Sequence, residues 1–308
     1  MPVRELGHGF YAIDLEFQDL PGVIASYLLT GAGEYALIET GPSSTLEALL
    51  AGLKHLSIDP GDISKLLVTH IHLDHAGAAG TLIQRYPNMH LYVHEVGAPH
   101  MIDPSRLLAS AERIYGDRMG PLWGKVIPVP ESHVHALNDE TAISAGNRSL
   151  TAVYTPGHAS HHVVYRDANS GDVFTGDVAA VRLQGFKTIR PPTPPPDIDL
   201  DAWGRSLERI ESMGPARLLL THFGPQNDVA EHLHETRERL AAWASEVGQR
   251  YLAGMDRDQI VRELRAFADT DIAGADDPSA AERYELATPT FMSTDGLIRW
   301  FRRRFNPA

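Results

Sequence analysis

The chain of 308 residues contains no cysteine, which removes three kinds of chemistry at once. It can form no disulfide bond, offer no thiolate to a metal ion and use no cysteine as a nucleophile. It also lacks an apolar N-terminal signal segment, and no apolar run approaches the roughly 18 residues that span a membrane. We therefore expect a soluble, cytoplasmic protein without a membrane partner.

Basic residues are scarce as well. The chain has 27 Lys and Arg against 40 Asp and Glu, which gives a net charge of −13. A chain with this charge repels phosphate backbones, so we expect no nucleic-acid partner. A hydrophobic content of 43% is enough for a core, and the length fits one large domain or one domain with an appendage.

One short run holds an unusual density of ligand-type side chains. His70, His72, Asp74 and His75 fall within six positions, between a strand-like segment at 65–68 and a helix-like segment that follows. Imidazole and carboxylate groups at this density predict a metal site. The alternative is a polar turn that is histidine-rich by chance, and such a pattern is expected on the order of a few times per thousand chains of this composition.

Three further ligand-type side chains follow predicted strands elsewhere in the sequence. His158, Asp177 and His222 each stand just past an apolar run, next to a glycine or threonine turn. Each alone indicates only a turn. Together with the first run they place five histidines and two aspartates at strand ends, which is enough for two metal ions.

The remaining pattern predicts strands and helices in alternation, followed by helices alone. Strands are predicted at 10–15, 23–30, 35–39, 65–69, 90–94, 126–129, 142–143, 149–154, 163–165, 173–175 and 217–220. Helices are predicted at 44–56, 78–86, 105–115, 202–213, 228–252, 256–268 and 290–305. We expect a catalytic domain at 1–225 and a helical C-terminal extension at 226–308.

Residues 97–125 are longer than an ordinary connection and carry Tyr115, Met119 and Trp123 among glycines. With Phe186, these residues are candidates for the wall of a partly apolar substrate pocket. A packed surface loop is the alternative.

Other histidines are expected to lie outside the site. His133 and His135 repeat the His-x-His spacing without the following Asp-His, so we place them on the surface or around the ligands. His232 and His234 are two apart on a predicted helix and should face different directions. His161, next to His158, is a candidate for supporting the ligands.

The motifs His70-x-His72-x-Asp74-His75-Ala-Gly, Thr-Pro-Gly-His158, Gly-Asp177 and Thr-His222, in this order, resemble those of the metallo-β-lactamase superfamily over about residues 10–225. The resemblance implies an α+β fold, the αββα metallo-β-lactamase sandwich, here followed by a small helical C-terminal region. It places the metals at one edge between the sheets.

The resemblance also implies roles for individual residues. One metal would take His70, His72 and His158, the other would take Asp74, His75 and His222, and Asp177 would bridge them. His162 corresponds to a buried supporting histidine. Glu39 stands where the family often has an aspartate that supports the metal loop, and its extra methylene should shift that support without abolishing it.

The nitrogen and oxygen donors suit two divalent ions, with Zn²⁺ expected and Mn²⁺ or Fe compatible. Such a pair activates water for attack on an ester, lactone or thioester carbonyl, and Asp74 doubles as the catalytic proton acceptor or donor. The resemblance favours the glyoxalase II-like and lactonase-like branches and a small, partly apolar substrate. A mononuclear iron enzyme like the persulfide dioxygenases, a phosphodiesterase and a ligand-binding regulator stay open, as does a homodimer.

Overall fold

A computed structural model describes residues 2–273 and 277–305. Seven strands form the first sheet, in sequence order from one edge to the other. They are β1 (Val3–Gly7), β2 (Phe10–Asp14), β3 (Ala25–Gly31), β4 (Glu34–Ile38), β5 (Ile63–Leu67), β6 (His90–His94) and β7 (Val134–Leu137). The first four strands are antiparallel, and β4 to β7 run parallel.

Six strands form the second sheet, and they also lie in sequence order from one edge to the other. They are β8 (Thr141–Ala145), β9 (Arg148–Tyr154), β10 (Val163–Asp167), β11 (Val173–Gly176), β12 (Leu218–Leu220) and β13 (Gly224–Gln226). Only β11 and β12 pair in parallel, which leaves β9, β11 and β12 pointing the same way.

Helices occupy the outer faces and the C-terminal region. They are α1 (Leu46–His55), α2 (Leu73–Ala76), α3 (Ala79–Arg85), α4 (Ala98–Ile102), α5 (Ser105–Tyr115), α6 (Met119–Trp123), α7 (Leu200–Ser212), α8 (Val229–Leu252), α9 (Arg257–Thr270), α10 (Ala280–Ala287) and α11 (Thr290–Phe305). Within the residues that the structure describes, none of these helices combines the length and apolar character needed to cross a membrane.

Alternation along the strands divides the core into layers. One set of side chains meets between the sheets, where Phe174 contacts Phe10 and Tyr27 with ring centroids 5.3 and 5.2 Å apart. The opposite face of the first sheet packs against α1 and α3, and that of the second sheet packs against α7 and α8. The period of two residues along a strand puts successive side chains on opposite faces, which produces both layers from the same strands. The predicted αββα sandwich is confirmed.

The C-terminal helices continue from the sandwich. The first half of α8 packs on the second sheet through Leu233 and Leu240, while its second half packs with α9 and α11 around Trp243, Leu264 and Leu297. The three predicted C-terminal helices are present, and α10 is an additional one. The division at residue 225 stays a prediction, because α8 belongs to both packing groups.

The strand predicted at 126–129 is wrong. These residues pair with no strand in the described chain, and the seventh strand is Val134–Leu137, which contains His135. Pro128 and Pro130 explain the difference, since proline has no N–H to contribute to a ladder. The short edge strand Val3–Gly7 was not anticipated, because its mixed polar sequence gives little alternation.

Candidate metal centre and substrate pocket

The histidine-rich run begins where β5 ends. The chain leaves the strand, passes through a short loop and turns into α2, which carries Asp74 and His75. Glu39, just past β4, fixes this loop because its carboxylate accepts hydrogen bonds from the Thr69 N–H at 3.2 Å and from Thr69 Oγ1 at 2.6 Å. The loop is therefore tied to the buried end of the neighbouring strand.

The other three predicted ligands come from the second sheet. His158 follows β9, Asp177 directly follows β11, and His222 follows β12. Since these three strands point the same way, their carboxyl ends share one edge and deliver the three side chains to it. All three side chains are buried. The structure thus brings together all seven residues that the sequence predicted as metal ligands.

A first group of donors consists of His70, His72, His158 and Asp177. His158 Nε2 lies 3.2 Å from His70 Nε2 and 3.0 Å from His72 Nδ1, and His70 Nε2 lies 2.9 Å from His72 Nδ1. Asp177 Oδ2 closes the group at 3.3 Å from His158 Nε2. Three imidazole nitrogens and one carboxylate oxygen therefore converge on one point.

A second group consists of Asp74, His75 and His222. Asp74 Oδ2 lies 3.6 Å from His75 Nε2 and 3.4 Å from His222 Nε2. The other oxygen of Asp177, Oδ1, lies 3.3 Å from His75 Nε2 and 3.5 Å from His222 Nε2. Asp177 therefore presents one oxygen to each group.

Unpaired atoms mark the second group as a place for a cation. His75 Nε2, His222 Nε2 and Asp177 Oδ1 are buried and have no hydrogen-bond partner among the described residues. A buried polar atom without a partner costs about 1–3 kcal/mol, so three at one point need an explanation. A divalent ion binds donors of this kind, and the residues present fit the metal that the motifs imply.

The outer ring nitrogens are held by oxygen atoms. His158 Nδ1 donates to the Pro192 carbonyl at 2.8 Å, and His222 Nδ1 donates to the Val23 carbonyl at 2.8 Å. With the proton on Nδ1, the Nε2 lone pair of each ring faces the centre, as a metal ligand requires.

Glu39 and His162 both contact the ligands from outside the two groups. Glu39 Oε1 lies 3.1 Å from His75 Nδ1 and also accepts from Thr221 Oγ1 at 3.1 Å, so the longer side chain still reaches the ligand. His162 Nε2 accepts from the Asp177 N–H at 3.3 Å. Gly176 makes room for this contact, because a Cβ there would lie 2.7 Å from His162 Nε2.

Charge is distributed unevenly over the centre. Burial, reinforced by the neighbouring His75, lowers the pKa of His70 well below its ordinary value. Burial disfavours a charged His75 too, but Asp177, Asp74 and Glu39 outweigh it and raise the pKa of His75. Burial likewise opposes ionisation of Asp177, yet the surrounding histidines hold its pKa well below the usual value. The ionised Asp177 and the neutral His70 are therefore in the states that metal ligands need, whereas His75 favours imidazolium and must release a proton before its Nε2 can bind a metal.

A pocket of about 290 Å³ opens onto the donors His72, Asp74, His158 and Asp177. Its walls are mostly apolar. Besides the loops that carry the ligands, the walls come from Val96 and His100, from α5 with Trp123, from the proline-rich residues 192–196, and from residues 286–293, which include the end of α10 and the start of α11. The volume is at the lower end of the range of roughly 300–1,000 Å³ for small-molecule sites.

Two of the four predicted pocket residues line this pocket. Tyr115 and Trp123 face it, while Met119 and Phe186 do not. Met119 packs against the core of the first sheet, and Phe186 packs on Tyr284 with ring centroids 5.6 Å apart. Both side chains pack against apolar neighbours outside the pocket lining.

Other pocket residues were not predicted. Leu107, Ala111 and Ile114 form an apolar stripe on α5 whose spacing of four and three residues is a signal in the sequence. His161 also lines the pocket, and its Nδ1 accepts from the Ile71 N–H at 3.4 Å. Residues 286–293 carry no local signal, because only the tertiary fold brings them to the pocket.

The other histidines that were predicted to lie outside the site belong to neither group of donors. His135 is exposed, with its Nε2 3.1 Å from His90 Nδ1, as predicted for a residue outside the site. His232 is buried and His234 is exposed, which confirms that they face different directions on α8.

The sequence matches the metallo-beta-lactamase superfamily over residues 19–222, more than half of the chain, so the protein belongs to that family. A metallo-beta-lactamase family protein from Thermus thermophilus has the same fold, with a TM-score of 0.69 at 22% identity over 97% of this chain and 95% of that one. That similarity includes the C-terminal helices.

Three relatives are similar in sequence. A metallo-beta-lactamase fold-containing protein of Sulfurisphaera tokodaii is 28% identical over 73% of this chain and 80% of its own length. An atrochrysone carboxyl ACP thioesterase of Aspergillus fumigatus is 28% identical over 61% of this chain and 47% of its own length. The N-acyl homoserine lactonase AttM of Azorhizobium caulinodans is 32% identical over 38% of this chain and 40% of its own length. The last two matches cover less than half of those relatives.

Proposed function

We propose that this chain, a metal-dependent hydrolase by its family, uses two divalent ions to hydrolyse an ester, lactone or thioester with a partly apolar acyl group. The observation that carries the proposal is the position of Asp177, whose two oxygens face two separate groups of donors. Zn²⁺ is the metal we expect from nitrogen and oxygen donors without sulfur.

The protein side chains have distinct parts in this reaction. Two bound divalent ions would lower the pKa of water and stabilise the charge that develops on the substrate's carbonyl oxygen. Asp74 lies at the pocket, with a fifth of its side chain exposed, whereas Asp177 is buried. Asp74 can therefore take the proton released by the attacking water and pass it to the leaving group.

The pocket supports the assignment of the substrate. Leu107 and Ile114 of α5 and Met292 of α11 line the same pocket as the metal-ligand candidates. An acyl chain lying there would bury its methylenes against these side chains and place its carbonyl at Asp74. Burial is worth about 0.8 kcal/mol per methylene, so each additional buried methylene should raise kcat/KM about fourfold.

The relatives named above are compatible with this substrate class. One is named for a thioester and another for a lactone, and both substrates present an acyl carbonyl to water. A phosphodiester, by contrast, has no acyl group to bury against the mostly apolar wall of the pocket.

A substrate panel on protein of measured metal content tests the proposal. Esters, lactones and thioesters with acyl groups of about four to twelve carbons, together with a phosphodiester, are compared for kcat/KM. We expect about two metal ions per chain and an increase with acyl length up to a limit. One iron per chain with oxygen uptake, or preference for the phosphodiester, would overturn the proposal.

Ile114→Phe sharpens the test of the pocket. The larger side chain on α5 should lower kcat/KM for long acyl groups by about tenfold and leave short ones nearly unchanged. Leu252→Phe is the matched control, because Leu252 is 63% exposed at the end of α8 and lies outside the pocket. An equal loss for short and long substrates would contradict an acyl chain in this cleft.

A further inference from the structure

The proline-rich segment at residues 190–197, here called the strap, lies between a metal ligand and the C-terminal helices. We propose that α11 positions His158 through the strap, so that the C-terminal region determines how tightly the first group of donors binds metal. The inference rests on the dinuclear centre of the proposed function. It assigns a role in metal binding to helices that contribute no predicted ligand.

The inner side of the strap holds the ligand. His158 Nδ1 donates to the Pro192 carbonyl at 2.8 Å, and both residues are buried. The same loop is fastened a second time, since Ser160 Oγ donates to Asp197 Oδ2 at 2.6 Å. The position of the Pro192 carbonyl therefore fixes the orientation of the imidazole and the direction of its Nε2 lone pair.

The outer side of the strap rests on α11. Thr193 Oγ1 donates to the Ser293 carbonyl at 3.2 Å, and the Thr193 N–H approaches Ser293 Oγ at 3.5 Å. Gly296, one turn further along α11, permits this approach. A Cβ at Gly296 would lie 1.9 Å from the Thr193 carbonyl oxygen and 2.9 Å from the carbonyl carbon of Pro194, so any side chain there must displace the strap or the helix.

The start of the strap is anchored by a buried cation. Arg190 is fully buried, and its Nη2 donates to the Ala268 carbonyl at 2.9 Å and to Asp269 Oδ1 at 3.1 Å. Its guanidinium carbon lies 4.6 Å from the ring centre of Tyr284, and its Nη1 lies 3.7 Å from Glu285 Oε1. An arginine buried in this way fixes the first residue of the strap against α9 and α10.

The second group of donors is held from the opposite half of the chain. His75 and His222 are bonded by Glu39 and by the Val23 carbonyl. Helix α10 also reaches that half, because Arg283 Nη2 lies 3.3 Å from the Gly22 carbonyl. A selective test must therefore act on α11, where the contact is with the strap.

Gly296→Ala is the test variant, measured by Co²⁺ titration of the metal-free full chain with absorption spectroscopy. It is combined with His222→Ala, which leaves the first group of donors, and separately with His72→Ala, which leaves the second. We expect Gly296→Ala to weaken Co²⁺ binding about 10- to 100-fold in the His222→Ala background and to alter its visible bands. In the His72→Ala background, affinity should change by less than about twofold, since the outer contacts of that group are intact.

Gly248→Ala is the matched control. A Cβ at Gly248 would lie 2.3 Å from the end of the Phe301 ring, and this ring can turn aside, so the substitution perturbs the packing of α8 on α11 while the backbone of α11 keeps its contact with the strap. It should leave Co²⁺ binding unchanged in both backgrounds. If Gly296→Ala does not fold, Thr193→Val removes only the Oγ1 hydrogen bond to Ser293 and should weaken the first group several-fold.

The outcomes separate the two proposals. Unchanged binding in the Gly296→Ala variant, or equal weakening of both groups, overturns the role of the strap while wild-type protein still binds two Co²⁺ and hydrolyses acyl substrates. Wild-type protein that binds fewer than two Co²⁺ overturns the dinuclear function, whatever the variants do.

Discussion

The two groups of donors contain similar ligands but are held in different ways. The first group includes His158, which depends on a carbonyl of the strap, and the strap depends on helices about 100 residues further along the chain. The second group includes His75, which is bonded directly by the buried carboxylate of Glu39. His158 is thus supported by distant backbone, whereas His75 is supported by the charge of a buried carboxylate.

The pKa values of the histidines also differ between the two groups of donors. Burial lowers the pKa of His72 to about 4, and it also lowers the pKa of His158. For His222, burial is outweighed by Asp177 and Asp74, which raise its pKa. The carboxylates that face the second group therefore favour imidazolium there, whereas burial favours neutral His72 and His158 in the first group. The difference indicates that substitutions on the two sides should affect the two groups of donors separately.

The largest effect is expected where the two groups meet. Asp177→Ala removes one oxygen from each group, so metal content should fall and hydrolysis should drop by about 10³-fold or more, because several kcal/mol of charge stabilisation are lost. Metal analysis and acyl hydrolysis check this result. His135→Ala, on the exposed surface, is the control and should keep wild-type metal content; an Asp177→Ala protein with full metal content would remove Asp177 from the ligand set.

Glu39→Gln should act mainly on the second group, since Glu39 reaches the first group only through Thr69, whose Oγ1 lies 3.0 Å from His70 Nδ1. The substitution removes the charge that faces His75 and places an amide where Oε1 now accepts hydrogen bonds from Thr69 and Thr221. We expect Co²⁺ binding to weaken about 10- to 100-fold in the His72→Ala background, which keeps that group complete and removes a donor of the first. Binding in the His222→Ala background should weaken clearly less, because Glu39 contacts the first group only through Thr69. The selectivity is the reverse of that for Gly296→Ala, and a variant that weakened both groups equally would show that the supports are not separate.

Sequence patterns predicted most residues of the candidate metal centre but few of the residues that surround it. The ligands stand in short motifs at strand ends, where backbone direction alone delivers His158, Asp177 and His222 to one edge. The strap at residues 190–197 lies outside those motifs. Its contacts with α11 depend on a packing distance between segments about 100 residues apart, which no local pattern encodes.

Predictions about the fold show the same limit. Alternating apolar residues located most strands, and the prolines at 128 and 130 explain why 126–129 is not one of them. The pocket wall at 286–293 was not predicted, since its neighbours on α5 come from a distant part of the chain. The candidate metal ligands can be predicted from short motifs, whereas the shape of the pocket depends on how the layers of the fold pack together.

The smallest effect on the metal centre is expected at another C-terminal support, at the loop after Asp177. His232 of α8 is buried, and its Nε2 donates to the Ala179 carbonyl at 2.8 Å, two residues beyond Asp177. Burial lowers the pKa of His232 from 6.5 to about 4. Above pH 6.5 the His232 ring is neutral in the folded and in the unfolded chain, so its contribution to the free energy of unfolding is fully present. As the pH falls toward 4, His232 binds a proton in the unfolded chain but stays neutral in the folded chain. The free energy of unfolding therefore decreases.

Urea unfolding of the metal-free protein at about pH 7 and about pH 4.5 measures this contribution. A pKa difference of this size corresponds to about 2.5 kcal/mol at the lower pH, and His232→Gln, which can still donate to Ala179, should reduce the acid-induced loss by that amount. The metal ligands titrate in both proteins, so their contribution cancels in the comparison. His234→Gln, on the exposed face of the same helix, should leave the loss unchanged. If His232→Gln lost as much stability in acid as wild type, α8 would not hold the loop beyond Asp177 through a neutral imidazole.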